Sequence, residues 1–126
     1  MNNTSKNYGI TEVITRGTIV MAELPENKNS VQNGKRPCLV VSNNKGNQYS
    51  PVLIVVPLTS RMSKKAMPTH YYVEPNEMNG LKAKSVALAE QILTIGKDMV
   101  IGKLGELSDI EMRMFDSKLK KSLSLF

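Results

Sequence analysis

A chain of 126 residues with 40% hydrophobic and 22% charged residues has enough apolar mass for one folded domain, and its composition excludes a disordered, fibrous or disulfide-stapled protein. Seventeen Lys and Arg against eleven Asp and Glu leave a net charge of +6 and a pI near 9.5, so the surface attracts polyanions through a salt-sensitive term that carries no sequence information. The single cysteine, Cys38, excludes an internal disulfide, and with Cys38 and His70 far apart no zinc-type ligand set assembles.

In chain order, residues 1–15 are polar and weakly patterned, and read as a frayed leader without the apolar core of a signal peptide. The folded domain is expected over 16–126. Six short stretches rich in β-branched residues and bounded by Gly, Pro or Asn follow: TIVMAEL (18–24), PCLVVS (37–42), VLIVVPLT (52–59), THYYV (69–73), SVALAEQI (85–92) and MVIGKL (99–104). Even spacing and turn chemistry between them predict a small antiparallel barrel that closes its edges on itself. The longest apolar run, PVLIVVPL, is far short of a membrane span, and with one reduced cysteine the protein is expected in the cytoplasm. Cys38, inside an apolar run, reads as a small hydrophobe rather than a nucleophile.

The period then changes. Met112, Phe115, Leu119 and Leu123 recur at steps of three and four and predict a closing amphipathic helix. Ser108, followed three residues later by Glu111, is a capping box that starts it. No glycine-rich phosphate loop, repeat or linker is visible, and the spacing of the eight methionines implies no cofactor.

The stretch NGKRPCLVVSN raises the functional question, because two cations stand against the start of a buried-looking strand. If PCLVVS and VLIVVPLT form a hairpin with a symmetric turn over 43–50, position 36 faces position 57 and Arg36 falls within two residues of Thr59. Pro37 donates no N–H and keeps Arg36 extended, off the ladder. A guanidinium beside a hydroxyl, in a rim formed by loop 25–35 with Lys35 and by Ser60 and Arg61 of the following segment, is a receptor for a phosphodiester. From the hairpin alone, a solvated Arg beside a strand-end Thr is the reading to prefer, since most surface charges do nothing specific.

The segments RGTIVMAEL, SVQNGKRPCLVVSNN, VLIVVPLTS, PTH, SVALAEQI and GELSDIEM with LKKSLSL, in this order over residues 16–125, resemble the MazF/PemK family of type II toxin endoribonucleases. The resemblance implies an SH3-like antiparallel barrel, mainly β, with helical additions including a C-terminal helix. It implies a homodimer that cleaves single-stranded RNA at short motifs without metal or cofactor and is held by a cognate antitoxin, whose blocking segment the basic rim leads one to expect acidic. The family's catalytic arginine falls on Arg36 and its catalytic threonine on Thr59. Ser30 and Gln32, in the loop before Arg36, are candidates to read base edges, and Gln91 of the EQI segment is a candidate for RNA contact or for support. Tyr49, Tyr71 and Tyr72 are candidates to stack bases, although alternation makes one of the adjacent pair a packing residue. His70 is the ordinary candidate for a base, and reads equally as a strand residue satisfied by a neighbour. Thr18 replaces the Asp of the family's usual RGD, Val31 an acidic residue, and Leu93 an Arg. These departures bear on the recognised motif. They keep open two alternatives: a binding module that no longer cleaves, and a toxin acting on a protein such as DNA gyrase.

Overall fold

The computed structural model describes residues 12–26, 32–61 and 65–126. Its elements run β1 (Thr18–Leu24), β2 (Gly34–Val40), α1 (Asn44–Tyr49), β3 (Val52–Thr59), β4 (His70–Val73), β5 (Ser85–Leu88), β6 (Leu93–Gly96), a 3-10 turn (Lys97–Met99), β7 (Val100–Glu106) and α2 (Asp109–Leu123). All strand pairings are antiparallel, in the order β4-β5-β3-β2-β1-β7, with β6 also paired to β3.

The central strands are buried on both sides, which is why they read as nearly continuous apolar runs. Along β1, Ile19 turns to one apolar cluster while Val20, Ala22 and Leu24 turn to another. Leu39 and Val56 join the first cluster, and Cys38, Val40, Leu53 and Val55 the second. The first is roofed by α2, whose Met112 and Phe115 are buried, with Phe115 edge-on to Tyr71 at 6.3 Å between ring centres. The second is closed by Ile95, Val100 and Ile14, the last from the stretch expected to be frayed.

The barrel is bent but not sealed by strand pairing, since β4 and β7 are its two ends. The turn after β4 bridges them: the Glu106 N–H donates to the Met78 carbonyl at 3.0 Å. Backbone meets backbone so closely here that a Cβ on Gly80, which has φ +67°, would run into the Leu104 carbonyl.

Several local expectations are corrected. The segment 43–50 is not a plain turn, because Asn43 caps a short helix by accepting from the Gly46 N–H at 2.8 Å. SVALAEQI is not one strand: β5 stops at Leu88, the chain turns at Ala89 and Glu90, and a seventh strand starts at Leu93. In α2 the capping box is formed, with the Ser108 N–H donating to Glu111 Oε1 at 2.9 Å and the Glu111 N–H to Ser108 Oγ at 3.2 Å. Leu123, expected on its apolar face, is 50% exposed.

Candidate functional site

The site is built where two strands part. β2 and β3 pair as Cys38 with Pro57, Leu39 with Val56 and Val40 with Val55. Extended by two residues, that register sets Arg36 against Thr59, two positions closer than a symmetric turn predicts. The ladder stops before reaching them, because β3 swings across to β5, pairing Leu58 with Ala87 and Thr59 with Val86. Pro57 has no N–H to continue the ladder. A notch therefore opens between the start of β2 and the end of β3.

Alternation puts Arg36 and Thr59 on the same face as Cys38, Val40 and Val55. The Cys38 thiol is pushed up to about 12 by burial, with Arg36 acting in the opposite direction, so the guanidinium's field reaches the sulfur beneath it. A thiol held this far above neutral pH is a hydrophobe in practice. Arg36 is half-buried, and its Nε donates to the Asn33 carbonyl at 2.7 Å. Its two terminal nitrogens have no partner among the described residues. Thr59 is buried, and its Oγ1 accepts from the Arg61 N–H at 3.1 Å, which leaves the hydroxyl proton free to donate.

The remaining predicted residues divide. Lys35, Ser60 and Arg61 are exposed around the notch. Gln32 and Gln91 meet each other: the Gln32 N–H donates to Gln91 Oε1 at 2.8 Å, so Gln91 holds the segment that leads into β2. Ser30 lies outside the described residues, as does Val31. Leu93 packs against the second apolar cluster. Glu90 accepts from Thr69 Oγ1 at 2.7 Å and lies 3.4 Å from Nε2 of buried His70, while His70 Nδ1 has no partner among the described residues. His70 pairs with Leu88 in the sheet, whereas the row of Thr59 runs through Val86 to Tyr72, so His70 is held with Glu90 away from the notch. Of the tyrosines, Tyr71 is core while Tyr49 and Tyr72 are exposed.

Next to the notch, on the opposite face of β2, lies a cavity of about 310 Å³. Its wall includes Pro37, Leu58, Leu81 and Leu104, and Lys35, Arg36, Ser60 and Lys82 bring polar groups to it. Sequence reasoning missed this cavity and the Asn33 carbonyl that orients Arg36. The Asn33–Gly34 pair was the available signal for the latter, since Gly34 takes a φ of +75°. Nothing in the sequence marks 81–85 as a neighbour of residue 36.

No three His, Cys, Asp or Glu side chains among the described residues gather as a metal ion would need. The arrangement is a cationic, donor-rich notch. It offers guanidinium N–H groups that are unpaired among the described residues, and a hydroxyl, to an anion, with an apolar cavity at its side.

Comparison with known proteins gives the chain its relatives. Residues 15–123 match a family described as PemK-like, MazF-like toxins of type II toxin–antitoxin systems. Endoribonuclease MazF of Staphylococcus saprophyticus is 37% identical over 113 residues, which is 90% of this chain and 93% of that protein. An endoribonuclease solved in complex with its cognate antitoxin, from a mycobacterial species, is 27% identical with a TM-score of 0.66, over 90% of this chain and 96% of that one. MazF of Deinococcus radiodurans shares the fold at a TM-score of 0.73 and 23% identity, over 90% of this chain and 99% of that one.

Proposed function

We propose, given that the chain belongs to the PemK-like, MazF-like toxins of type II toxin–antitoxin systems, that it is a toxin endoribonuclease cutting single-stranded RNA at short sequence motifs without metal. The observation that carries the reading is the parting of β2 from β3, which sets Arg36, its terminal nitrogens unpaired among the described residues, in register with Thr59.

The chemistry follows from those two groups. RNA supplies its own nucleophile: the 2′-hydroxyl loses its proton to solvent and bonds to phosphorus, the bond from phosphorus to the 5′-oxygen breaks, that oxygen takes up a proton, and in between negative charge gathers on the nonbridging oxygens. Arg36 donates two parallel, charge-assisted hydrogen bonds to them, and a preorganised donor of this kind contributes roughly 3 kcal/mol to lowering the barrier. Its Nε is already committed to the Asn33 carbonyl, so the fork is aimed before substrate arrives. A guanidinium keeps its protons at neutral pH, which makes Arg36 a charge stabiliser and acid rather than a base. Thr59, oriented by the Arg61 N–H, donates a hydrogen bond to a phosphate oxygen and holds the reacting atoms in line.

Lys35, Arg61 and Ser60, exposed around the notch, are assigned to the flanking phosphates, and Gln32, with Ser30 earlier in the sequence, to reading bases. A homodimer and a cognate antitoxin complete the assignment, the latter supported by the antitoxin complex of a mycobacterial relative. An acidic antitoxin segment suits a rim in which Lys35 and Arg61 have no ion-pair partner among the described residues. The cytoplasm is where such a target is found, and no helix among the described residues is long and apolar enough to cross a membrane.

Incubation of purified protein with a long RNA in EDTA tests the reading. Discrete fragments with 5′-hydroxyl ends and cyclic phosphates are expected, sharing a short motif at the cut. Binding without cleavage makes the protein an RNA-binding module, and growth arrest with intact cellular RNA points to a protein target.

A further inference from the structure

The cavity beside the notch has no role in the chemistry just described, yet it is built like a receptor. Its volume of about 310 Å³ is at the small end of ligand-sized pockets, which run from roughly 300 to 1,000 Å³. Pro37, Leu58, Leu81 and Leu104 give it apolar walls that suit the faces of a flat ring. The polar lining is of a restricted kind. Lys35, on the cavity's face of β2, and Lys82 only donate hydrogen bonds, Ser60 can donate or accept, and Ser85 already donates its hydroxyl proton to the Ala83 carbonyl at 2.9 Å and is left as an acceptor.

An occupant that satisfies this lining presents carbonyl oxygens to the cations and an N–H to Ser85, side by side on one edge. Uracil and guanine carry that imide-like edge, while adenine and cytosine offer an exocyclic amine where the cations stand. The positive charge of the rim favours an anionic carrier, and Arg36, whose side chain turns to the notch on the other face of β2, borders this cavity as well. A phosphate held at Arg36 therefore has a neighbouring base within reach of the cavity.

We propose that the cavity lined by Leu81, Lys82 and Ser85 is a subsite for one keto base, uracil or guanine, of a nucleotide flanking the phosphodiester at Arg36. It deepens the nuclease reading and rests on it, and it assigns part of the motif specificity to the segment 81–85 rather than to the loop before Arg36.

Two measurements test it separately from the nuclease reading. Titration of the purified protein with the four nucleoside 3′-monophosphates, followed by NMR, is expected to shift the amides of residues 81–85, with the uridine and guanosine compounds binding at least fivefold more tightly. Ala83→Trp, at an exposed position in the lining, fills the space and is expected to weaken that binding at least tenfold. Ser85→Ala is expected to erase the preference for keto bases. Sequencing the RNA ends produced by Ala83→Trp is expected to show a relaxed base at one position beside the cut and an unchanged remainder. Should Ala83→Trp melt early, Lys82→Glu serves as the second variant, because Lys82 is exposed and its charge reversal repels the same carbonyls.

Keto-selective binding at 81–85 with no cleavage by the parent leaves the subsite standing and removes the nuclease. Cleavage with an unaltered motif in both variants, or equal binding of all four nucleotides, overturns the subsite and leaves the nuclease intact.

Discussion

Arg16 and Arg36 are both half-buried and both stand beside the central strands, yet the fold treats them oppositely. Arg16 has each of its three nitrogens engaged: Nε gives to the Val41 carbonyl at 2.8 Å, and the two terminal nitrogens grip Asp116 of α2 at 3.1 and 2.7 Å. Its backbone N–H is held as well, by Asn44 Oδ1 at 2.6 Å. Arg36 gives one bond, to Asn33, and its fork points at nothing among the described residues. A guanidinium has five N–H donors, so the number the protein itself occupies separates a structural cation from one held in readiness. Arg16 ties the roof helix to the sheet, whereas on the proposed reading Arg36 keeps its fork for an anion from outside.

The largest test of that contrast removes the waiting cation. Arg36→Ala is expected to lower kcat/KM for RNA cleavage by roughly 10² to 10³ while thermal melting barely changes, because the lost side chain held one internal bond. Arg36→Lys keeps the charge but not the fork, and should recover only a small part of the rate. Equal loss of stability and activity would mean that Arg36 is structural like Arg16. One step further out, Gln91 acts by holding Gln32 and hence the carbonyl that orients Arg36. Gln91→Ala is expected to cost about tenfold, mainly in kcat, and Gln91→Glu, which still accepts from the Gln32 N–H, should restore most of it. A change confined to KM and to base preference would instead make Gln91 a direct RNA contact.

Arg16→Ala should do the reverse of Arg36→Ala. The pair with Asp116 is about one third exposed, so screening limits it to about 1 kcal/mol, and the unmet Val41 carbonyl adds to the cost. A fall in Tm of roughly 3–6 °C is expected, with cleavage per folded molecule unchanged. A double-mutant cycle with Asp116→Ala isolates the coupling, and additivity within error would show that the two ends of the latch act independently.

The sequence carried the outline because the signals that set it are local. β1 and β3 have the bounds read from TIVMAEL and VLIVVPLT, where β-branched residues run between breakers, and α2 starts at the capping box that Ser108 and Glu111 announce. α1 escaped because NKGNQY has no apolar period; it is made by the Asn43 cap and by buried Asn47, which bonds the Ser42 hydroxyl and backbone carbonyl. β6 escaped because four residues, LTIG, are too short to separate from SVALAEQI. The pairing of PCLVVS with VLIVVPLT was legible while its register was not, since the Val41 and Ser42 N–H groups both turn to the Ile54 carbonyl as α1 begins. The candidate pair was therefore brought together by hairpin reasoning, whereas the notch depends on β3 changing partner at Leu58, a tertiary event with no local sign.

A third cation extends the contrast and gives its smallest effect. Lys97 is buried, its Nζ donates to the Asn47 carbonyl, and burial holds its pKa below the usual 10.5. Between that lowered value and 10.5 the unfolded chain binds more protons than the folded one, so the contribution of Lys97 to stability improves as pH rises through this window. Two other buried groups act the opposite way. Cys38 ionises near 9.0 when unfolded but only at about 12 when folded, so its contribution declines as pH rises from 9 to 12. Tyr71, raised above 10.0 by burial and then by Glu111, likewise contributes less as pH climbs. The parent's total stability thus mixes opposed slopes, and only a difference isolates Lys97. Chemical denaturation of the parent and of Lys97→Met between pH 7 and 10.5 should show the parent gaining on the variant with rising pH, since Cys38 and Tyr71 cancel between them. A flat difference would mean that the Asn47 carbonyl compensates the buried charge fully, placing Lys97 beside Arg16 as a cation whose electrostatic cost the fold has already met.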